Sequence, residues 1–155
     1  TSFLEELARR TEVKFWGEMN PSLPLESPIM RQYRGTAWGR AMYEILAQSK
    51  IVINRHIEKQ GTYEGARFAN NMRLYETTGL GALLITDWKE NLGELFEVGA
   101  EVETYRTVDE LVEKIQYYLR HDQERERIAK AGQRRTLKDH TYEQRAKKVA
   151  ELFHD

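Results

Sequence analysis

Arg73 and Glu76 stand three residues apart within residues 70–81, so a helix there would carry both on one face. A cation suits a diphosphate and a carboxylate accepts from ribose hydroxyls, which makes the pair a candidate nucleotide contact. The alternative is a surface ion pair followed by a plain glycine helix stop. Asn70 or Asn71 can cap this helix, and Gly79 and Gly81 then release the chain into an apolar run at 82–86, too short for another helix and bounded by Asp87. The helix start at Asn71 and Met72 offers backbone amides beside the carboxyl end of that strand, where α/β folds hold phosphates.

Other candidates follow from the same geometry. Ile51, Val52 and Ile53 mark a strand buried on both faces, and Asn54, Arg55 and His56 sit at its carboxyl end. Arg55 is a candidate phosphate partner. His56 is a candidate ligand contact or general acid/base, because histidine as a residue type changes charge near neutrality; the alternative is a loop histidine that packs or faces water. Beyond the 82–86 strand, Lys89 and Asn91 can reach toward phosphates or base, Lys89 being the better placed, with a solvated lysine as its alternative. The polar segment 58–69, with Gly61 and Gly65, reads as a loop. The histidines at 56, 121, 140 and 154 are too scattered for a metal site, and no hydrolytic triad is visible.

The elements around these residues read as an α/β fold with a parallel sheet. Ser2 and Glu5 form a capping box for a helix that buries Phe3, Leu4, Leu7 and Ala8. Alternation over 13–16 predicts a strand closing on Gly17, so the chain opens helix–strand, and the first strand of a Rossmann-like sheet is expected upstream of Thr1. A proline-rich loop at 18–28, a short strand near 31–34, a helix ending at Ser49 and a last strand at 101–105 complete the expected sheet region. Residues 107–155 read as a helical C-terminal part: a helix capped by Thr107 or Asp109 with Glu110 and Lys114 as an outer pair, a second burying Ile128, Ala131 and Leu137, and a third burying Tyr142, Ala146, Val149, Leu152 and Phe153. Trp16, Trp38, Trp88 and the Tyr117–Tyr118 pair read as core or rim aromatics.

Composition narrows the function classes. The 155 residues include no cysteine, which removes disulfides, thiolate metal sites and cysteine nucleophiles and makes a cytoplasmic setting the default expectation. No apolar run approaches the ~20 residues of a membrane span. The net charge of −1 hides a basic tail: residues 120–148 carry ten Lys or Arg against five Asp or Glu. Acids interleave with the bases there, as in a solvated helix face, so nucleic acid is not an expected partner, while weak membrane association stays open.

The pattern N-x-R-L-Y-E-x-x-G-x-G-A-L-L-I-T-D from Asn71 to Asp87, followed by Glu94-Leu95-Phe96-Glu97-Val98-Gly99 and Glu103-Thr104-Tyr105-Arg106, resembles the C-terminal domain of group 1 glycosyltransferases. The similarity is greatest to the spore-maturation-type subgroup and runs from about Tyr33 to about Arg145, with Ser49-Lys50-Ile51-Val52-Ile53-Asn54 and His140-Thr141-Tyr142 in step. It implies a GT-B fold of two Rossmann-like halves and retaining transfer from a nucleotide-diphosphate sugar. This chain would be one domain, a fragment inactive alone, with an unidentified acceptor held by an N-terminal domain. In that reading Glu76 accepts from ribose, Arg73 and Lys89 meet the diphosphate, and the amides at Asn71 and Met72 add to them. No metal or other cofactor is required where the protein supplies that charge. The family's first glutamate, counted back from Glu76, falls at Phe68, and Glu64 is the nearest upstream carboxylate. A second reading is a non-catalytic Rossmann-like regulatory or interaction module with Asp87 as its site, although a receiver-type site needs clustered acids where this chain has Gly17 and Asn54.

Overall fold

The computed structural model describes residues 2–56 and 67–153. In chain order the elements are α1 (Ser2–Arg10), α2 (Pro28–Gln32), α3 (Gly39–Gln48), β1 (Ile51–Asn54), α4 (Met72–Gly79), β2 (Leu83–Asp87), α5 (Leu92–Leu95), β3 (Glu103–Tyr105), α6 (Val108–Arg120), α7 (Asp122–Asp139) and α8 (Tyr142–Glu151). The sheet is parallel in the order β1-β2-β3, with Ile51 opposite Leu83 and Ile85 opposite Glu103. Among the described residues no helix is long and apolar enough to cross a membrane.

The middle strand explains why the run at 83–85 has no polar alternation. Leu83 and Ile85 pack with Leu7 of α1, Leu111 and Ile115 of α6 and Ile128 of α7, while Leu84 packs with Leu74 of α4 and with Phe96. Both faces are covered, as in a Rossmann-like α/β layer. α4 ends at Gly79, and Gly81, at φ +82°, turns the chain into β2 in a backbone conformation that disfavours other residues. Thr107 caps α6 by accepting from Glu110 N–H, and Glu110 reaches back to the Arg106 N–H at 2.8 Å. Lys114, expected on the outer face with Glu110, also donates to Glu103 at 2.7 Å.

Several expectations from the sequence need correction. Residues 13–16 do not form a sheet strand: Phe15 makes a single parallel bridge to Tyr33, and its backbone bonds to Gln32 and Arg34 instead of to a strand of the sheet. The expected strand at 31–34 is instead the end of α2 and that bridge, because Pro28 at the helix start presets the helical φ. Glu5 accepts from the Ser27 hydroxyl at 2.8 Å, tying α1 to α2 in place of a capping box at Ser2, which already lies inside the helix.

The buried stripe of α7 runs through Arg125, Ile128, Ala129, Gly132 and Thr136, and Leu137 is 59% exposed. Close packing sets this rotation. Gly132 lies against the Glu101 carbonyl, and the Thr136 hydroxyl meets that of Thr78 at 2.6 Å. α8 buries none of its residues; Tyr142 and Val149 on it, and Leu152 and Phe153 just after it, are exposed, and Arg145 lies over the Tyr75 ring at 4.3 Å.

A Cβ on Gly132 would stand 2.3 Å from the Glu101 carbonyl oxygen, whereas one on Gly93 would meet nothing within 4 Å. Gly132→Ala is therefore expected to cost about 1–3 kcal/mol and lower the thermal midpoint by several degrees, with Gly93→Ala near neutral. Calorimetry on both variants checks this; equal midpoints would refute the close approach.

Candidate functional site

A carboxylate ties the carboxyl ends of β1 and β2, and Tyr105 joins β3 to them. Asp87, the last residue of β2, accepts at Oδ1 from the His56 backbone N–H at 3.0 Å and pairs there with His56 Nδ1 at 2.7 Å. Its Oδ2 lies 3.2 Å from Lys89 Nζ, and Lys89 is only 5% exposed. The Trp88 N–H donates to the Tyr105 carbonyl, and the Tyr105 hydroxyl donates to the Asn54 carbonyl at 3.0 Å, which closes the link across β1, β2 and β3. Burial by itself would raise the Asp87 pKa, but hydrogen bonds from the His56 side chain and backbone, with help from Lys89, hold it below its ordinary value. Burial pushes the Tyr105 hydroxyl strongly upward, with the Asp87 charge adding to it, so it stays a donor.

The network continues to the helix. Asn54 donates from Nδ2 to the Thr86 hydroxyl at 2.9 Å and accepts at Oδ1 from Asn71 Nδ2 at 3.0 Å. Asn71 is the N-cap residue of α4, yet its side chain makes no capping bond because it is turned toward Asn54. The first-turn amides of α4 thus have no side-chain cap at the carboxyl edge of the sheet. Asn71 Oδ1 and His56 Nε2 are both buried without a hydrogen-bond partner. Asn91, expected to reach a ligand, is a structural clip: its Oδ1 accepts from the Ala69 N–H and its Nδ2 donates to the Ala69 carbonyl, fixing the chain that enters α4.

Arg73 and Glu76 do share a face, one turn into α4, with 3.4 Å between guanidinium and carboxylate. The Glu76 side chain is 15% exposed. Tyr43 of α3 donates to Glu76 Oε1 at 3.3 Å, and the Glu76 charge raises the Tyr43 pKa. Tyr43 was missed in the sequence because nothing local links it to a residue 33 positions away. Met72, at the helix start, is exposed. The structure therefore separates the candidates into two groups, Tyr43, Arg73 and Glu76 on the α3–α4 flank and Arg55, His56 and Lys89 at the strand ends, linked through Asn71, Asn54, Thr86 and Asp87.

The strand ends open on a shallow cleft of about 240 Å³ that includes Arg55, Asp87, Trp88, Lys89 and Arg106 in its lining. Trp88 and Arg106 join the site through their place directly after β2 and β3, which is their signal in the sequence. Lys89 is no solvated lysine, since Asp87 holds it inside. Phe68, where the resemblance would put a first glutamate, is exposed beneath Arg67, and Glu64 lies outside the described residues. Among the described residues no three acidic or histidine side chains converge as a metal site would require.

The sequence model of a family described as glycosyl transferase-like matches residues 1–151. Among solved structures, the chain is similar to Anabaena Alr3699/HepE, crystallised in complex with UDP, at a TM-score of 0.65 and 14% identity. The similarity covers 81% of this chain and 33% of that one, so the chain spans about a third of the length of that protein. No curated protein matches it in sequence.

The depressed Asp87 pKa carries a sign. Its stabilising effect is complete above the ordinary carboxylate value of 3.8 and is lost as pH falls through the lower folded-state value. Asp87→Asn is expected to cost about 2–4 kcal/mol at neutral pH, since it removes the buried charge that accepts from His56 and pairs with Lys89. It should also flatten the acid limb of the stability curve. Denaturant titrations between pH 7 and pH 3 check both, and a variant with the wild-type acid limb would contradict the role given to Asp87.

Proposed function

Because the chain belongs to the glycosyl transferase-like family, we propose that it is the donor-binding half of a glycosyltransferase that uses a nucleotide-diphosphate sugar. The observation that carries this reading is the start of α4, where Asn71 turns its side chain to Asn54 and so leaves first-turn amides uncapped, one turn before Arg73 and Glu76. Backbone amides and the helix dipole favour the diphosphate, Arg73 adds a full charge, and Glu76 accepts from ribose hydroxyls. The Tyr43 hydroxyl and Arg73 hold the Glu76 carboxylate in place before a ligand arrives. The UDP bound to the Anabaena protein of similar fold supports a uridine nucleotide as the first probe.

In the transfer itself the bond between the anomeric carbon and the diphosphate oxygen breaks, the electron pair passes to the leaving diphosphate, and an acceptor hydroxyl forms the new glycosidic bond. Positive charge fixed in advance around the diphosphate lowers the barrier to that departure. In this reading Arg73 and the α4 amides supply that charge without a metal. Lys89 contributes by neutralising Asp87, which would otherwise repel the leaving group, and His56, held by Asp87 through Nδ1, directs its unpartnered Nε2 as a hydrogen-bonding group at the strand end. Assignment to the spore-maturation-type group 1 enzymes, with retention at the anomeric carbon, rests on the residue pattern from Asn71 to Arg106. The acceptor and the second GT-B half belong to sequence beyond this chain in this proposal, so the isolated chain binds nucleotide and transfers no sugar. A regulatory module built on Asp87 fits less well, because both carboxylate oxygens are already engaged by His56 and Lys89.

Each charge-assisted bond from ribose to Glu76 is worth about 1.5–3 kcal/mol, so Glu76→Ala is expected to weaken UDP binding by roughly one to two orders of magnitude. Its thermal midpoint should barely move, since a partly exposed pair with Arg73 contributes about 1 kcal/mol or less. Calorimetric titration with UDP decides the matter: an unchanged affinity would remove Glu76 from the site, and sugar transfer by the isolated chain would overturn the half-enzyme reading.

A further inference from the structure

We propose that the cleft at the ends of β1 and β3 is a second anion subsite, in which Arg55 and Arg106 grip a phosphate-bearing group distinct from the donor's diphosphate. Arg55 directly follows β1 and Arg106 directly follows β3, so their backbones flank β2 at two strand spacings, about 10 Å apart. Each guanidinium is stacked on an aromatic ring. Arg106 lies 3.8 Å over Trp88, and Arg55 lies 4.5 Å over Phe3. The rings are anchored in turn: Phe3 stacks on Tyr105 at 5.8 Å, and the Trp88 N–H is bonded to the Tyr105 carbonyl.

Neither guanidinium has a carboxylate partner among the described residues, although this chain pairs other arginines freely: Arg10 with Asp109, Arg67 with Glu90, and Arg125 with Asp122. Stacking occupies the faces of Arg55 and Arg106 and leaves their edge N–H donors unspent. Among the described residues lining the cleft, Asp87 is the one carboxylate, and it is turned to His56 and Lys89. Planar forks held by aromatic rings, with no acid among the described residues to satisfy them, suit a phosphate that accepts two parallel bonds from each arginine. Phe3 and Arg55 lie on the α1–α6 face of the sheet, whereas Arg73 and Glu76 lie on the α3–α4 flank. Phe3 packs with the α1–α6 cluster and Leu74 of α4 with the cluster on the other face, so the proposed subsite and the start of α4 are approached from different faces of the sheet.

The subsite stands on its own geometry, and its use in transfer rests on the donor reading above. The experiment is a calorimetric titration of the 155-residue chain with inorganic pyrophosphate, run with and without saturating UDP, on wild type, Arg55→Ala, Arg106→Ala, Arg106→Lys and Glu76→Ala. The expected result is pyrophosphate binding that survives saturation with UDP, falls at least about tenfold in each arginine-to-alanine variant and partly recovers in Arg106→Lys, which keeps the charge and loses the fork. Glu76→Ala should leave it unchanged. Absence of pyrophosphate binding to the wild type, or indifference to both arginines, would overturn the subsite. Displacement of pyrophosphate by UDP, with UDP binding weakened in the arginine variants, would assign both arginines to the donor's own diphosphate and overturn it as well. If UDP fails to bind but arginine-dependent pyrophosphate binding remains, the donor reading falls and the subsite stands.

Discussion

Asp87 sits where three parallel strands end, and the geometry around it depends on its charge. A carboxylate at a strand end needs donors, and this one receives them from the neighbouring strand's exit, through the His56 backbone and ring, and from Lys89 two residues on. Those bonds explain how a lysine can be almost fully buried in a domain this small: the cation and the anion are desolvated together, and each makes the other tolerable. The exit of β1 is thereby drawn against the exit of β2. Tyr105 secures β3 to the same knot through the Asn54 carbonyl.

From that knot a line of amide and hydroxyl groups reaches the first residue of the helix that carries the candidate nucleotide contacts. Asn71 has a choice between capping α4 and bonding Asn54, and the structure takes the second, which trades local helix stability for an uncapped helix start. Asp87 is thus joined to the start of α4 by contacts through Thr86, Asn54 and Asn71. A buried polar chain of this kind is rigid only when nearly all its groups are satisfied, and the exceptions here, Asn71 Oδ1 and His56 Nε2, both lie at the strand ends.

What the sequence made legible was local. Gly79 and Gly81 with the apolar run behind them specify helix stop and buried strand through neighbouring residues alone, and β1, β2 and β3 fall close to where β-branched and apolar runs put them. Arg73 and Glu76 meet because helical spacing requires it. What stayed hidden depends on distant chain segments. The burial of Lys89 follows from Asp87 and the exit of β1, and the part of Tyr43 follows from how α3 lies against α4. On α7 the contact of Gly132 with Glu101 turns the helix so that Leu137 faces water, which no periodicity within α7 distinguishes from the expected stripe. Residues 13–16 alternate as a strand should, but a strand also needs a sheet edge to join, and the backbone of Phe15 finds Gln32 and Arg34 instead.

In the proposed reading the start of α4 receives the diphosphate and the Asp87 knot holds it ready. Amide hydrogen exchange on the 155-residue chain, with and without UDP, tests this directly, because it reads each backbone N–H separately. UDP is expected to slow exchange at residues 72–76, while the amide of His56, already bonded to Asp87, is protected in both states. Protection by UDP confined to other elements, or a His56 amide that exchanges as freely as an open loop, would contradict it.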